Sequence, residues 1–408
     1  MKRAAATLMC LGLCAAAGAT SLLGIRYPLG VPYRPNSGAS LAMGGTGTGV
    51  VSDQNLMLHN PANLGALRKT ALSTLLLLDI ANINDSRSGA HSTHARFVPR
   101  QISFGFFLGA AGSIAASYEK REDAQLRFEF AGKPYDDEFS TFDSYQQSFI
   151  RDGGLSTWQV GWGYAIGKWA RVGLSYGRVN CRLTDSRRVT LTGDFTTVSV
   201  DSAVVDFRGN MLRAGVLVPV WHLAVGLAAE YPFEGEATHR QGYYVGSPPV
   251  DMTAERFTLQ LPPQLSGGVS WQISPSWLAA FDLKTTFWSK YDSEDMLLCA
   301  PLRSRAVGVS LGGKYVPAPD VLTPKYWETI SYCGGVRFDQ MPASDAYEYG
   351  LSLGVGLPFP AGGGVVDLTL EYSRRQDLNY SRYAEEIVRV GIGINGGRKW
   401  RKSSEGLY

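Results

Sequence analysis

Charge, cysteine and long apolar runs are all scarce in this 408-residue sequence, and each shortage closes off a class of protein. Beyond the leader no stretch reaches the ~20 apolar residues that a membrane-spanning helix needs. The best candidate, 72–80, is too short, contains Asp79 and is followed by Asn82. A helical inner-membrane protein is therefore excluded. The 5 cysteines include Cys10 and Cys14 in the leader, which leaves Cys181, Cys299 and Cys333 and room for one intramolecular disulfide at most. That is no disulfide scaffold. Charged residues are only 18%, with 39 Lys and Arg against 36 Asp and Glu, so the chain lacks the basic excess of a nucleic-acid binder. What is plentiful is glycine, at 47 residues, and aromatic side chains, at 11%. Without helices, that mixture suits a membrane barrel.

The first residues read as an export signal: Lys2 and Arg3, an apolar run over 4–17, and the small residues Ala17, Gly18 and Ala19 at the cleavage site. The mature chain is expected from Thr20. Met9 and Leu13 precede the two leader cysteines, where a lipoprotein signal would need a small residue.

The strongest signal is a two-residue alternation that continues to the end of the chain. Val388, Val390, Ile392 and Ile394 oppose Arg389, Gly391, Gly393 and Asn395; Val366, Leu368, Leu370 and Tyr372 oppose Asp367, Thr369, Glu371 and Ser373. Trp158, Val160, Trp162 and Tyr164 likewise oppose Gln159, Gly161 and Gly163. Soluble sandwiches also alternate, but so many strands with no helix to cover them are closed most simply in lipid. Strands are expected near 70–81, 100–109, 112–120, 155–166, 169–181, 207–219, 221–231, 263–273, 277–289, 303–314, 327–339, 346–358, 363–375 and 384–398. Tight connections at 167, 219 and 274 alternate with long ones at 121–154, 182–206 and 232–262, the pattern of short periplasmic turns and long external loops. The Pro-rich connection at 315–326 breaks that pattern, as either a long periplasmic turn or a misplaced strand. The fold expected is all-β: a transmembrane antiparallel β-barrel of about 14 strands over 70–400.

Between the signal and the first strand, residues 20–69 do not alternate and are rich in Gly, Pro and Asn, which suits a hatch folded inside the barrel. Ala42, Met43, Gly44, Gly45, Thr46 and Gly47, then Asp53, then Asn60, Pro61 and Ala62 resemble the hatch of the FadL-type long-chain fatty acid transporters. A second similar run is Pro262, Pro263, Gly268 and Trp271, followed by Asp282 and by Trp288, Ser289, Lys290 and Tyr291. The segment 383–397 is similar to that family's last strand, although here residues 401–408 extend beyond it. The resemblance implies an outer-membrane barrel of a diderm bacterium, inserted by the barrel-assembly machinery and surrounded by outer-membrane lipid. It also implies passive transport of a hydrophobic small molecule, with a long-chain fatty acid as the leading cargo. No cofactor, metal or nucleic acid is expected.

Several patterns imitate catalytic or metal chemistry. Gly45, Gly47 and Gly49 are spaced like a phosphate-binding loop, but no strand precedes them and no helical period follows. Gly-x-Ser-x-Gly occurs at 173–177, 308–312 and 350–354, always inside continuous alternation, where a nucleophile elbow would need a strand-to-helix turn. The chain is not expected to be an enzyme. His91 and His94 lack a third ligand nearby and read as a solvated loop. Lys284, Arg213, Arg337 and Arg389 fall on lumen faces; they either receive a carboxylate head group or pair with Asp282, Asp367 and Glu371. Lys284 and Arg389 are retained as candidate ligand contacts. In the loop at 121–154, Phe139, Phe142, Tyr145 and Phe149 recur at steps of three or four. A short helix there would gather them as a capture surface, or as packing on the rim. Cys181 and Cys299 are placed to form the single available disulfide. A secretion-system scaffold or shuttle barrel and a general porin remain as alternative functions; a porin would lack the hatch.

Overall fold

A computed structural model describes residues 31–32, 37–53, 56–85, 91–132, 142–193, 196–245, 253–290, 303–319, 321, 324–342, 346–359, 363–377 and 383–398. The signal, the 401–408 extension, Phe139 and Cys299 lie outside them. Strand β1 (Val31–Pro32), a one-turn helix (Gly38–Ala42) and a 3-10 helix (Pro61–Ala66) precede the wall. The wall begins with β2 (Thr70–Asp85), β3 (His91–Phe107), β4 (Ser113–Lys120) and, after the short β5 (Glu122–Asp123) that pairs with β1 away from the wall, β6 (Leu126–Gly132). It continues through β7 (Phe142–Ile166), β8 (Ala170–Gly193), β9 (Thr197–Val220), β10 (Leu223–Pro232), β11 (Gly235–Val245), β12 (Thr253–Leu259) and β13 (Gln264–Ser274). The last strands are β14 (Trp277–Phe287), β15 (Arg305–Tyr315), β16 (Ser331–Gln340), β17 (Ala346–Pro358), β18 (Gly364–Asp377) and β19 (Tyr383–Arg398).

These strands close into an antiparallel barrel of 14 staves, sealed by β19 against β2. Three staves are broken: β4 with β6, β10 with β11, and β12 with β13. Each strand is amphipathic in the membrane sense. On β10 the pattern alternates strictly, with Leu223, Val225, Leu227 and Tyr231 outward and Ala224, Ala228 and Glu230 inward. The outward apolar rows meet lipid, and Trp169, Trp221, Trp277 and Trp327 stand exposed at the periplasmic turns as an interfacial girdle.

One expectation changes, and one open alternative is resolved. Among the described residues the long external connections are largely strand: β7, β8 and β9 run on for 24 or 25 residues, and β11 and β12 add a further hairpin, so the wall itself rises above the membrane. Their polar residues on both faces hid the alternation. The 315–326 segment is a periplasmic connection between β15 and β16, with a single 3-10 turn at Tyr326–Glu328.

Candidate functional site

The hatch owes its shape to residues that bond their own main chain. Ser37 caps the short helix by accepting from the Ser40 N–H at 3.1 Å. Pro61 excludes helical geometry from Asn60, which adopts φ −121° and ψ 97° and frees its amide to cap the 3-10 turn by accepting from Ala62 N–H at 3.2 Å. The other end of that amide donates to the Thr48 carbonyl at 2.7 Å, and Asn63 donates to the Val50 carbonyl at 2.9 Å. Thus the Asn-Pro-Ala run ties the glycine-rich turn to the turn that enters the wall.

Wall residues then fix this unit inside the barrel. Asp282 on β14 accepts from the N–H groups of Gly47 and Thr48, both at 2.8 Å. Gln101 on β3 donates to the Leu56 carbonyl, Ser270 on β13 to the Gly49 carbonyl, and Thr369 on β18 to the Gly38 carbonyl. Where the hatch backbone lies directly on the wall, the wall residue is glycine: a Cβ on Gly173 would strike Pro61, and one on Gly312 would strike Met43. The repeated Gly-x-Ser-x-Gly runs are therefore landing sites for the hatch on flat strands.

On the external side of the hatch come two charged clusters. Arg337, Arg375 and Arg389 lock Asp79, Asp339, Glu348, Glu371 and Glu385 across five neighbouring strands, with Arg375 to Glu348 at 2.7 Å and Arg375 to Glu385 at 2.9 Å. Opposite them, Glu119 and Glu230 bind Arg100, Arg121 and Arg213. A small cavity of about 100 Å³ separates this second cluster from the hatch, lined among others by His59, Asp282 and Lys284. The Nδ1 atom of His59 is buried there without a hydrogen-bond partner among the described residues. Burial, reinforced by Arg213, lowers its pKa to about 4, so the imidazole is neutral at pH 7.

Farther out the same lumen face turns apolar. Leu155, Val179, Cys181, Leu183, Phe207, Met211, Leu259, Leu261 and Trp288 form one buried cluster with Ala124, Ala237 and Ala306. In the sequence, Val179, Cys181 and Leu183 continue the inward phase of Gly173, Ser175 and Gly177, and that switch from small or polar to apolar was the missed signal.

Beside this cluster the wall is interrupted. The stave leaves the barrel plane after Lys120; β5 bends inward and pairs with β1, and β6 rejoins β7. Among the described residues, β3 pairs with β4 only from Gln101 downward, and β6 pairs only with β7. Arg96 on β3 instead pairs with Asp123, and Arg100 reaches Glu119 at 3.1 Å. Pro99, which has no N–H to donate, sits at a bulge on this unpaired edge; a proline inside a strand pattern is a signal for such a position.

Of the other expected residues, Phe142, Tyr145 and Phe149 belong to β7, so the helix expected around them is not formed. Continuous pairing of β7 with β8 wins over a helix of two or three turns, which is marginal by itself. Phe149 is buried, with the Arg151 guanidinium over its ring. Lys284 borders the cavity, whereas Arg389 is committed to carboxylates. Cys181 is a buried free thiol, and the partner expected for it, Cys299, lies outside the described residues. His91 and His94 lie in β3 and not in a loop.

A transmembrane β-barrel of the outer-membrane type, closed by an internal hatch, is thus defined by wall, girdle and plug. The chain has the fold of the FadL-type barrels. It is similar over 90% of its length to 99% of a Pseudomonas aeruginosa FadL homologue, at a TM-score of 0.64 and 13% identity. It is similar over 89% to 98% of the Ralstonia pickettii toluene transporter TbuX, at 0.59 and 18%, and over 90% to 100% of the P. putida toluene transporter TodX, at 0.57 and 15%. A family model described as BamG matches residues 236–404, less than half of the chain. No curated protein matches the chain in sequence.

Proposed function

We propose that this barrel passively transports hydrophobic small molecules across the outer membrane. The observation that carries this is the apolar cluster on a lumen face, where a water-filled porin would present polar groups. The FadL homologue, TbuX and TodX, the latter two described as toluene transporters, share the fold and support the same class of cargo. Cargo enters from the external side, displaces the adaptable side chain of Met211 and its neighbours, and rests above the charged level. The hatch and the ion-pair clusters deny it a straight path to the periplasm, and the unpaired edge between β3 and β6 offers a lateral one. A long-chain fatty acid would place its chain in the cluster and its carboxylate toward Lys284; an uncharged hydrocarbon would use the cluster alone.

Introducing a charge into the cluster tests this. Met211→Arg is expected to reduce uptake of a hydrophobic probe at least tenfold, a loss of about 1.4 kcal/mol or more, in a barrel that still migrates faster unboiled than boiled. Undiminished uptake by the folded variant would overturn the proposal. Comparing a fatty acid with toluene in Lys284→Gln separates the two cargoes, because only the carboxylate should be affected.

A further inference from the structure

Where the barrel wall leaves the lipid zone, its outer surface becomes rich in arginine along one sector. On β8 the outward row runs Leu174, Tyr176, Arg178 and Arg182; on β9 it runs Val216, Leu212 and then Arg208. Arg240 on β11 and Arg256 on β12 continue the row sideways, because Thr238 pairs with Arg256 and with Asp206, and Arg240 pairs with Val204. All five arginines are exposed, and no lysine accompanies them.

Their height is set by the strand. From Trp169 in the periplasmic girdle to Arg178 is nine residues, which at ~3.3 Å per residue and a tilt of ~40° is roughly 23 Å. That is about the thickness of the apolar band, so Arg178 stands level with the headgroups of the external leaflet, and the other four, in register with positions 180–184 of β8, rise just above it.

The surface is also concave. β9 pairs with β10 as far as Met211 opposite Pro232, and then with β11 from Arg208 opposite Glu236. The extra residue bends the wall and leaves two adjoining grooves of about 870 and 480 Å³, which share Arg208, Glu236 and Thr258. Asp206 engages Arg182 at 3.7 Å and also Arg240. Arg178, Arg208 and Arg256 have no ion pair among the described residues. Five arginines against Asp206, Glu234 and Glu236 leave the patch at +2. On β18 and β19, by contrast, Arg374 faces Glu386.

We propose that this outer face of β8, β9, β11 and β12 binds the phosphate headgroup of an anionic phospholipid from the surrounding leaflet. Guanidinium forks match phosphate oxygens two at a time, and the exposed Leu174, Tyr176, Leu227, Tyr231 and Phe233 directly below receive the acyl chains. A headgroup tethered here fixes the depth of the barrel. It also shields the tall hairpins above it from the bilayer.

The test uses the full-length protein exchanged between phosphatidylcholine vesicles and phosphatidylcholine–phosphatidylglycerol vesicles, with retained lipid counted by native mass spectrometry. The parent is expected to enrich phosphatidylglycerol, and the enrichment should weaken as salt rises. Each of Arg178→Gln, Arg208→Gln and Arg256→Gln should lower it by roughly fivefold, and the triple variant should bring it to the level of phosphatidylcholine. Arg374→Gln should leave it unchanged. Equal retention of both lipids by the parent, or parent-like enrichment in the folded triple variant, would overturn the proposal. So would, in a third set of vesicles that also contains a phosphorylated glycolipid, selective retention of that glycolipid with no preference among phospholipids. Heat-modifiable migration verifies folding; if the triple variant lacks it, the three single variants decide the matter.

Discussion

Gly215 on β9 lies directly under Asn60 of the hatch, and a Cβ at that position would overlap the amide oxygen. The wall and the Asn-Pro-Ala turn are therefore complementary at the level of a missing methyl group. Gly215→Val should expel the turn while leaving barrel closure intact, because the β9 pairings to β8 and β10 do not need the glycine. Ion conductance across planar bilayers is expected to rise in the variant. Parent-like conductance would mean that the hatch tolerates the side chain.

The arginine clusters give a second prediction. Arg389 contacts Asp79, Glu348 and Glu371 in the lumen, so Arg389→Gln removes the ion pair to Asp79 and leaves Glu348 and Glu371 to share the remaining Arg337 and Arg375. Removing one partner of such a network costs on the order of 3–5 kcal/mol. The temperature at which the folded gel band disappears should fall clearly. Arg127→Gln, which breaks an exposed pair with Glu129, should change it little.

Protonation of His59 supplies a third. Its folded pKa of about 4 lies below the ordinary 6.5, so the neutral form stabilises the docked hatch above pH 6.5. That contribution is lost as pH falls from 6.5 toward 4. Protease access to the hatch is expected to increase over this window in the parent and to vary less in His59→Gln. The same pH dependence in both would show that another group controls docking.

Much of this was legible in residues that face lipid or glycine. Val388, Val390, Ile392 and Ile394 disclose β19 because lipid demands an unbroken apolar row, and Asn60, Pro61 and Ala62 disclose the hatch because Pro61 fixes its neighbour. The extensions of β7 to β9 were hidden because water on both faces of a strand removes the alternation. Phe142, Tyr145 and Phe149 have a spacing that helix and strand both permit, and only the pairing with β8 decides between them. Which carboxylates Arg389 meets depends on β18 and β2 lying beside β19, a register that local sequence does not encode. The kink at Lys120 similarly depends on contacts of Arg96 and Arg100 with Asp123 and Glu119, 27 and 19 positions later.

The most direct measurement is lipid mass spectrometry on the protein purified gently from its own membrane, beside Met211→Arg treated identically. Transport through the apolar cluster predicts a hydrophobic small molecule that co-purifies with the parent and is absent from the folded variant. No such molecule in the parent, together with swelling of proteoliposomes in small polar solutes, would contradict it and leave a general porin in its place.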